Sequence, residues 1–311
     1  MTLDDVKRAR DNYKNKLISS ILICLAVAVV LALVFFASSR GYSSSVGFGF
    51  YLMIGGFIAA VAGLIIISFI TRKQARAYRA AYKAYFVERN LAKIFSHIRY
   101  DHMRGIPREM LKATQMVNTG DVYQSNDLVM GKYKDVAFLQ ADVHIEEVRS
   151  DGKNTYYVTI FKGRFMIFEF PKKFNFRLEV AEKGFGANKI PFGKQKSSGR
   201  KFKKIELESS EFNKRFKTYS EDDFEAFYLL DPAFIHNITE LANEHEGKMM
   251  LGFLDNMLLV GLKDGKDAFE PPSVFKKLDE KTEMEKVAKE VRPITNFVDK
   301  LKLDKKLFVQ K

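Results

Sequence analysis

Few side chains in this 311-residue chain are spaced for chemistry. The five histidines are His97, His102, His144, His236 and His245. None lies in an HExxH pattern, and none forms a short metal-ligand cluster; His97 and His102, five apart, fit a helix face poorly. No metal site and no cofactor are therefore expected. Glu206 and Glu208 share one strand face with Glu211 just beyond, and carboxylates can do acid-base work. With Lys203 and Lys204 alongside, a charged outer sheet face is the plainer account. No GxSxG marks a nucleophilic serine. Gly131-Lys132 and Gly193-Lys194 lack the rest of a phosphate loop, and Gly184-Phe185-Gly186 is too short for a dinucleotide turn. Arg164 could meet a phosphate or carboxylate, with a structural ion pair as the simpler role.

A cationic run, Lys189 to Lys204, holds seven Lys+Arg and no acid, amid glycines at 184, 186, 193 and 199. It reads as an exposed loop before a strand near Lys204. With Arg164, the residues Lys194, Lys196, Arg200, Lys201, Lys203 and Lys204 are the candidates for interaction or anion binding, an anionic lipid being one such contact. Only Phe192 and Phe202 stand near for base stacking, so nucleic acid is disfavoured. The formal charge of +13 supports that view once divided by segment. Residues 1–100 have 14 Lys+Arg against 4 Asp+Glu, net +10, and residues 101–311 have 37 against 34, net +3.

The N-terminal excess flanks two apolar runs. Leu17 to Ala37 is 21 residues without a charge, and a second uncharged run extends from Val46 to Ile70. At about 1.5 Å per residue, 20 residues span about 30 Å of hydrocarbon. The reading is a two-helix transmembrane hairpin over 17–70. Lys7, Arg8, Arg10, Lys14 and Lys16 precede it, Arg72, Lys73, Arg76, Arg79 and Lys83 follow, and the loop holds only Arg40. By the positive-inside rule, both termini are cytoplasmic. Ser20, Cys24, Ala28 and Ala32 on one run, and Gly55, Ala59 and Gly63 on the other, form small-residue stripes suited to close helix packing or to a homo-oligomer. The lone Cys24 excludes an internal disulfide.

The rest of the chain divides into a basic N-terminal helix over 1–16, a juxtamembrane helical segment over 71–116, an α+β domain over 117–270 and a helical tail over 271–311. Tyr78, Tyr82 and Tyr85 share one helix face, widened by Phe86. Pro107 can open a short helix over 108–116. Val, Ile, Phe and Tyr dominate 135–148, 155–170 and 174–180, and Ser150 to Lys153 reads as a hairpin turn. Asp231-Pro232 starts a helix, and 249–254 with 257–262 read as a terminal hairpin. The sheet is mostly antiparallel, with flanking helices. In the tail, Met284, Val287, Val291, Ile294, Val298 and Leu301 recur every three or four residues. This amphipathic stripe packs on its own domain or faces a partner.

The strand Thr155 to Ile160, leading into Phe161-Lys162-Gly163-Arg164-Phe165 and then Phe168-Glu169-Phe170-Pro171, is joined by further aromatic motifs. These are Glu211-Phe212-Asn213, Phe216, Tyr219-Ser220, Glu225-Ala226-Phe227 and Leu230-Asp231-Pro232-Ala233-Phe234. Together they resemble the bacterial family called domain of unknown function 3137, over residues 75 to 305. The resemblance implies a cytoplasmic mixed α/β domain after paired membrane spans, and it implies no catalytic residue. Gly163 is expected to allow a bend or bulge, and Pro171 to end its strand.

Taken together, the sequence points to a membrane-anchored interaction or accessory module whose partners are the bilayer and a protein or second copy. An enzyme acting on an anionic or lipid-linked substrate is the alternative, with a channel or transporter subunit behind it because the spans carry no charge. A compact pocket holding Arg164, a histidine and two acids of displaced pKa would favour the enzyme. An exposed apolar groove, or a C-terminal helix detached from the domain, would favour partner binding.

Overall fold

The computed structural model describes residues 1–39, 45–171, 173–186 and 202–304; within the first two helices, the side chains of residues 31, 34–39, 45–54, 57 and 60 lie outside that description. The chain forms two compact units, one of residues 1–87 with 270–283, the other of 88–269 with the chain from 284 onward.

The first unit is helical. Helices α1 (Leu3–Ser39) and α2 (Ser45–Tyr82) lie side by side, and a π-helical turn over Lys83–Val87 continues the second. Thr2 and Asp5 cap α1 reciprocally: Asp5 N–H donates to Thr2 Oγ1 at 3.3 Å, and Thr2 N–H to Asp5 Oδ2 at 2.8 Å. Among the described residues, Leu3–Val30 is a helical stretch long and apolar enough to cross a membrane. Its apolar side chains face outward, with Leu22, Ile23 and Leu25 exposed, as are Ile58, Leu64, Ile65 and Phe69 on α2. The tyrosine stripe holds the 270–283 segment. Tyr82 donates to Glu283 Oε2 at 2.7 Å, Tyr85 to Glu280 Oε1 at 2.6 Å and Tyr78 to the Pro272 carbonyl at 3.2 Å. Burial, then the nearby Glu283 charge, pushes the Tyr78 hydroxyl up to about 12.

The second unit is α+β. Among the described residues, nine strands form one antiparallel sheet: β1 (Ser96–Asp101), β2 (Val122–Tyr133), β3 (Val136–Ser150), β4 (Thr155–Glu169), β5 (Leu178–Glu182), β6 (Lys203–Ile205), β7 (Phe216–Ser220), β8 (Lys248–Leu254) and β9 (Met257–Lys263). Their order is β1-β2-β3-β4-β9-β8-β5-β7-β6. The first four make a meander, and the β8/β9 hairpin then inserts between β4 and β5. The helices are α3 (Glu88–Ile94), α4 (Arg108–Thr114), α5 (Ser210–Arg215), α6 (Asp223–Leu229), α7 (Pro232–Glu244) and α8 (Glu280–Lys300), the first turn of α8 belonging to the helical unit.

Strand alternation gives the sheet two different faces. On one, Phe138, Phe168, Leu258 and Phe253 stand under α7 and α8, with Phe297 meeting Phe168 at 6.2 Å between ring centroids and Phe234 meeting Phe253 at 6.0 Å. On the other, Ala141, Val143, Ile145, Phe161, Phe165 and Ile167 pack against Ile106, Leu111, Met116 and Val117 from α4 and its flanks. Among the described residues α4 and its flanks cover only part of this face.

The β3/β4 and β8/β9 hairpins stand where the apolar periodicity puts them, whereas β1 falls within the 71–116 segment read as helical and β2 in a stretch assigned no element. Gly163 lies in a regular part of the β3/β4 ladder, and the irregularity is earlier, opposite Ile145/Glu146. With φ of 150°, Gly163 serves close approach: a Cβ there would collide with the Leu262 carbonyl.

Candidate functional site

The residues nominated from sequence scatter. Lys203 and Lys204 sit on β6 at the far edge of the sheet, where Lys203 pairs with Asp223 at 2.8 Å and Lys204 with Glu206 at 2.9 Å. Lys194, Lys196, Arg200 and Lys201 lie outside the described residues. In the tail, Val287, Val291, Ile294, Val298 and Leu301 are buried and Met284 is half-buried. The helix α8, which carries all of them but Leu301, is pinned at its C-terminal end. Lys300 bonds Glu240 and Glu244 at 2.8 and 2.7 Å, and Asp299 accepts from Lys134 at 2.7 Å.

Arg164 has become part of a polar cluster under α8. It stands opposite Asp142 across the β3/β4 ladder. Its Nη1 donates to the Glu290 main-chain carbonyl at 2.7 Å, and its Nη2 meets Asp264 Oδ2 at 3.3 Å. Asp142 Oδ2 accepts from Ala268 N–H at 2.6 Å while Oδ1 finds no partner among the described residues. Burial, reinforced by Asp127, raises the Asp142 carboxyl well above the usual range. Tyr100 donates to Asp127, and burial raises its own pKa further. Glu290 accepts from Phe269 N–H at 2.6 Å and is raised by burial.

Beside this cluster is a cavity of about 560 Å³ lined by Arg164, His245, Asp264 and Glu290, among others. His245 stacks on Phe297, planes within 3° and centroids 5.8 Å apart, and burial lowers its pKa to about 4. The cavity thus holds the arginine, a histidine and one acid of displaced pKa; Asp142, the second such acid, does not line it. Among the described residues no Ser, Thr or Cys lines it either, and Arg164 spends both terminal nitrogens internally. Chemically the arrangement clamps α8 to the sheet.

A second cavity involves none of the site residues nominated from sequence. On the open part of the second sheet face runs a groove of about 850 Å³. Its floor is two cross-strand rows, Lys132-Ala137-Glu169-Met257 and Met130-Leu139-Ile167, and α4 forms a wall with Met110 and Ala113. Met110 is 43% exposed, and Met130, Leu139 and Met257 are half-buried. Arg99 and Lys132 stand at the β1/β2 end, with Glu169 and Asp255 at the β4/β9 end, and none of the four makes an ion pair among the described residues. Methionine is flexible and polarizable, which suits a surface that must fit an incoming apolar partner. The only local signal of the groove in the sequence is that methionine content, drawn from three separate segments.

Residues 159–303 match the family model described as Protein of unknown function (DUF3137). This is the family the aromatic motifs resemble. The DUF3137 match starts within β4 and ends just beyond α8, so it takes in the whole Arg164 cavity and the β4, β8 and β9 side of the groove. It does not reach back over 75–158, where the α4, β1 and β2 side lies. No curated protein matches the chain. Among solved structures, the chain is similar to the crystal structure of the mycobacterial trehalose monomycolate transport factor A, TtfA, at 12% identity and a TM-score of 0.39, over 72% of this chain and 94% of that one.

Proposed function

We propose that the chain is a membrane-anchored accessory module whose sheet unit docks a protein partner. In this reading the α1/α2 pair is the hairpin anchor over 17–70, both termini are cytoplasmic, and Lys194, Lys196, Arg200 and Lys201 are available to anionic headgroups. The observation that carries it is the groove: a contiguous apolar surface, Met-rich and rimmed by charges without ion pairs among the described residues, is what interaction sites leave exposed. The experiment is photocrosslinking in intact membranes from the full chain with a benzophenone residue in place of Met257. A recurrent crosslinked protein, lost when Met130→Glu is added, is the expected outcome. Crosslinks no more abundant than those from exposed Lys214 would overturn it.

The alternative, an enzyme acting on an anionic or lipid-linked substrate, would use the Arg164 cavity, and the displaced His245 and Glu290 favour it. It ranks second because Arg164 is held by Asp264 and the Glu290 carbonyl, and the described lining offers no Ser, Thr or Cys nucleophile.

A further inference from the structure

The groove has a length and an electrical direction, and both restrict what fits. It crosses β1, β2, β3, β4 and β9, four inter-strand steps, or about 19 Å at about 4.8 Å each. An α-helix of about 13 residues covers that distance. A helix is also the element that ordinarily completes an uncovered sheet face, as α7 and α8 do on the opposite side. Strand addition at the sheet edge is poorly served: the β1/β2 ladder is interrupted between Ser96 and Arg99, with His97 at φ 51°, leaving little regular edge.

The charges add direction. Arg99 and Lys132 are exposed at one end, Glu169 and Asp255 at the other, without partners among the described residues. Helices are most stable with acids in the first turn and Lys or Arg in the last. A helix of that ordinary polarity satisfies all four groove charges in one orientation only.

Resting on the docking reading above, we infer that the groove takes an amphipathic helix of a partner protein, about 13 residues long. It lies beside α4 with its acidic N-terminal turn over Arg99 and Lys132 and its basic C-terminal turn over Glu169 and Asp255. Its apolar stripe fills the floor between Met130 and Met257, and Met110 closes on its flank.

The test uses two hydrocarbon-stapled, fluorescent 14-residue peptides of one composition, with leucines at i, i+3, i+4 and i+7. One has glutamates in its first turn and lysines in its last; the other has the order reversed. Binding to the detergent-solubilised full chain is read by anisotropy. The acid-first peptide is expected to bind at least about 10-fold more tightly, since a mismatch juxtaposes like charges at both ends. The combined variant Arg99→Glu, Lys132→Glu, Glu169→Lys and Asp255→Lys should reverse the preference, and Met130→Glu should weaken both peptides. Equal binding of the two peptides, abolished by Met130→Glu, would overturn the helix polarity and leave groove docking standing. No binding of either at about 100 μM would overturn the helix as occupant, while crosslinking from Met257 would still decide the docking reading. Acyl chains seen by native mass spectrometry on the wild type and lost from Met257→Glu would place lipid in the groove and overturn both.

Discussion

Arg164 donates to the main-chain carbonyl of Glu290 at 2.7 Å, tying the middle of the sheet to the middle of α8. The same guanidinium reaches Asp264 at 3.3 Å, and both side chains are largely buried, at 12% and 9% exposure. Removing it leaves a buried carboxylate and a carbonyl short of donors, a loss of about 2–3 kcal/mol. Arg164→Ala should therefore lower the melting temperature of the full chain by about 5–10 °C. Arg164→Lys should recover only part of this, because a single ammonium does not reproduce a planar fork reaching two acceptors. An unchanged melting temperature for Arg164→Ala would mean that the clamp is not holding α8.

Asp142 should be a site where wild type is less stable than its neutral replacement. Burial raises its folded pKa, so the folded state binds the proton more tightly than the unfolded chain does. Stability is then lost as pH rises from the unfolded value through the folded one. Asp142→Asn keeps an oxygen for Ala268 N–H and removes the charge. It should stabilise the protein by about 1 kcal/mol at neutral pH and by nothing near pH 3, in urea unfolding followed across that range.

His245 gives the opposite sign. Its pKa falls from 6.5 unfolded to about 4 folded, so the folded state binds the proton less tightly. Its contribution is intact above pH 6.5 and is lost as pH drops towards 4, by up to about 3 kcal/mol. His245→Phe retains a ring on Phe297 and cannot titrate. Between pH 6.5 and 4 the wild type should lose stability relative to this variant, while the two run parallel above pH 7.

These side chains show what a sequence conceals. The β3/β4 and β8/β9 hairpins were legible because apolar alternation and turns at Ser150–Lys153 and Asp255-Asn256 agree, and α7 because Asp231 caps it, accepting from Phe234 N–H at 2.7 Å. β2 was not, since Gln124, Ser125, Asn126 and Asp127 interrupt its alternation and its register shifts between Asn126 and Val129. Asp142 and Arg164 did leave a trace: each is a charge at the strand parity of buried Phe138 and Phe168. The groove left less. Met110, Met130 and Met257 meet only through tertiary packing, and no local period links them.

The α1/α2 pair is open to a direct test at Cys24, the only cysteine in the chain. A Cβ at Gly63 would lie 3.9 Å from Cys24 Cβ and 3.8 Å from its Sγ, inside the range that a disulfide requires. Gly63→Cys in membranes treated with copper phenanthroline should therefore close an intramolecular bridge between the two helices, detected as faster migration on non-reducing gels. Alanine at the same position should be tolerated, since 3.8 Å is ordinary contact, whereas Gly63→Ile should force the helices apart because its branches extend beyond that Cβ. A covalent dimer in place of the internal bridge would move the small-residue stripes from packing within one chain to packing between copies.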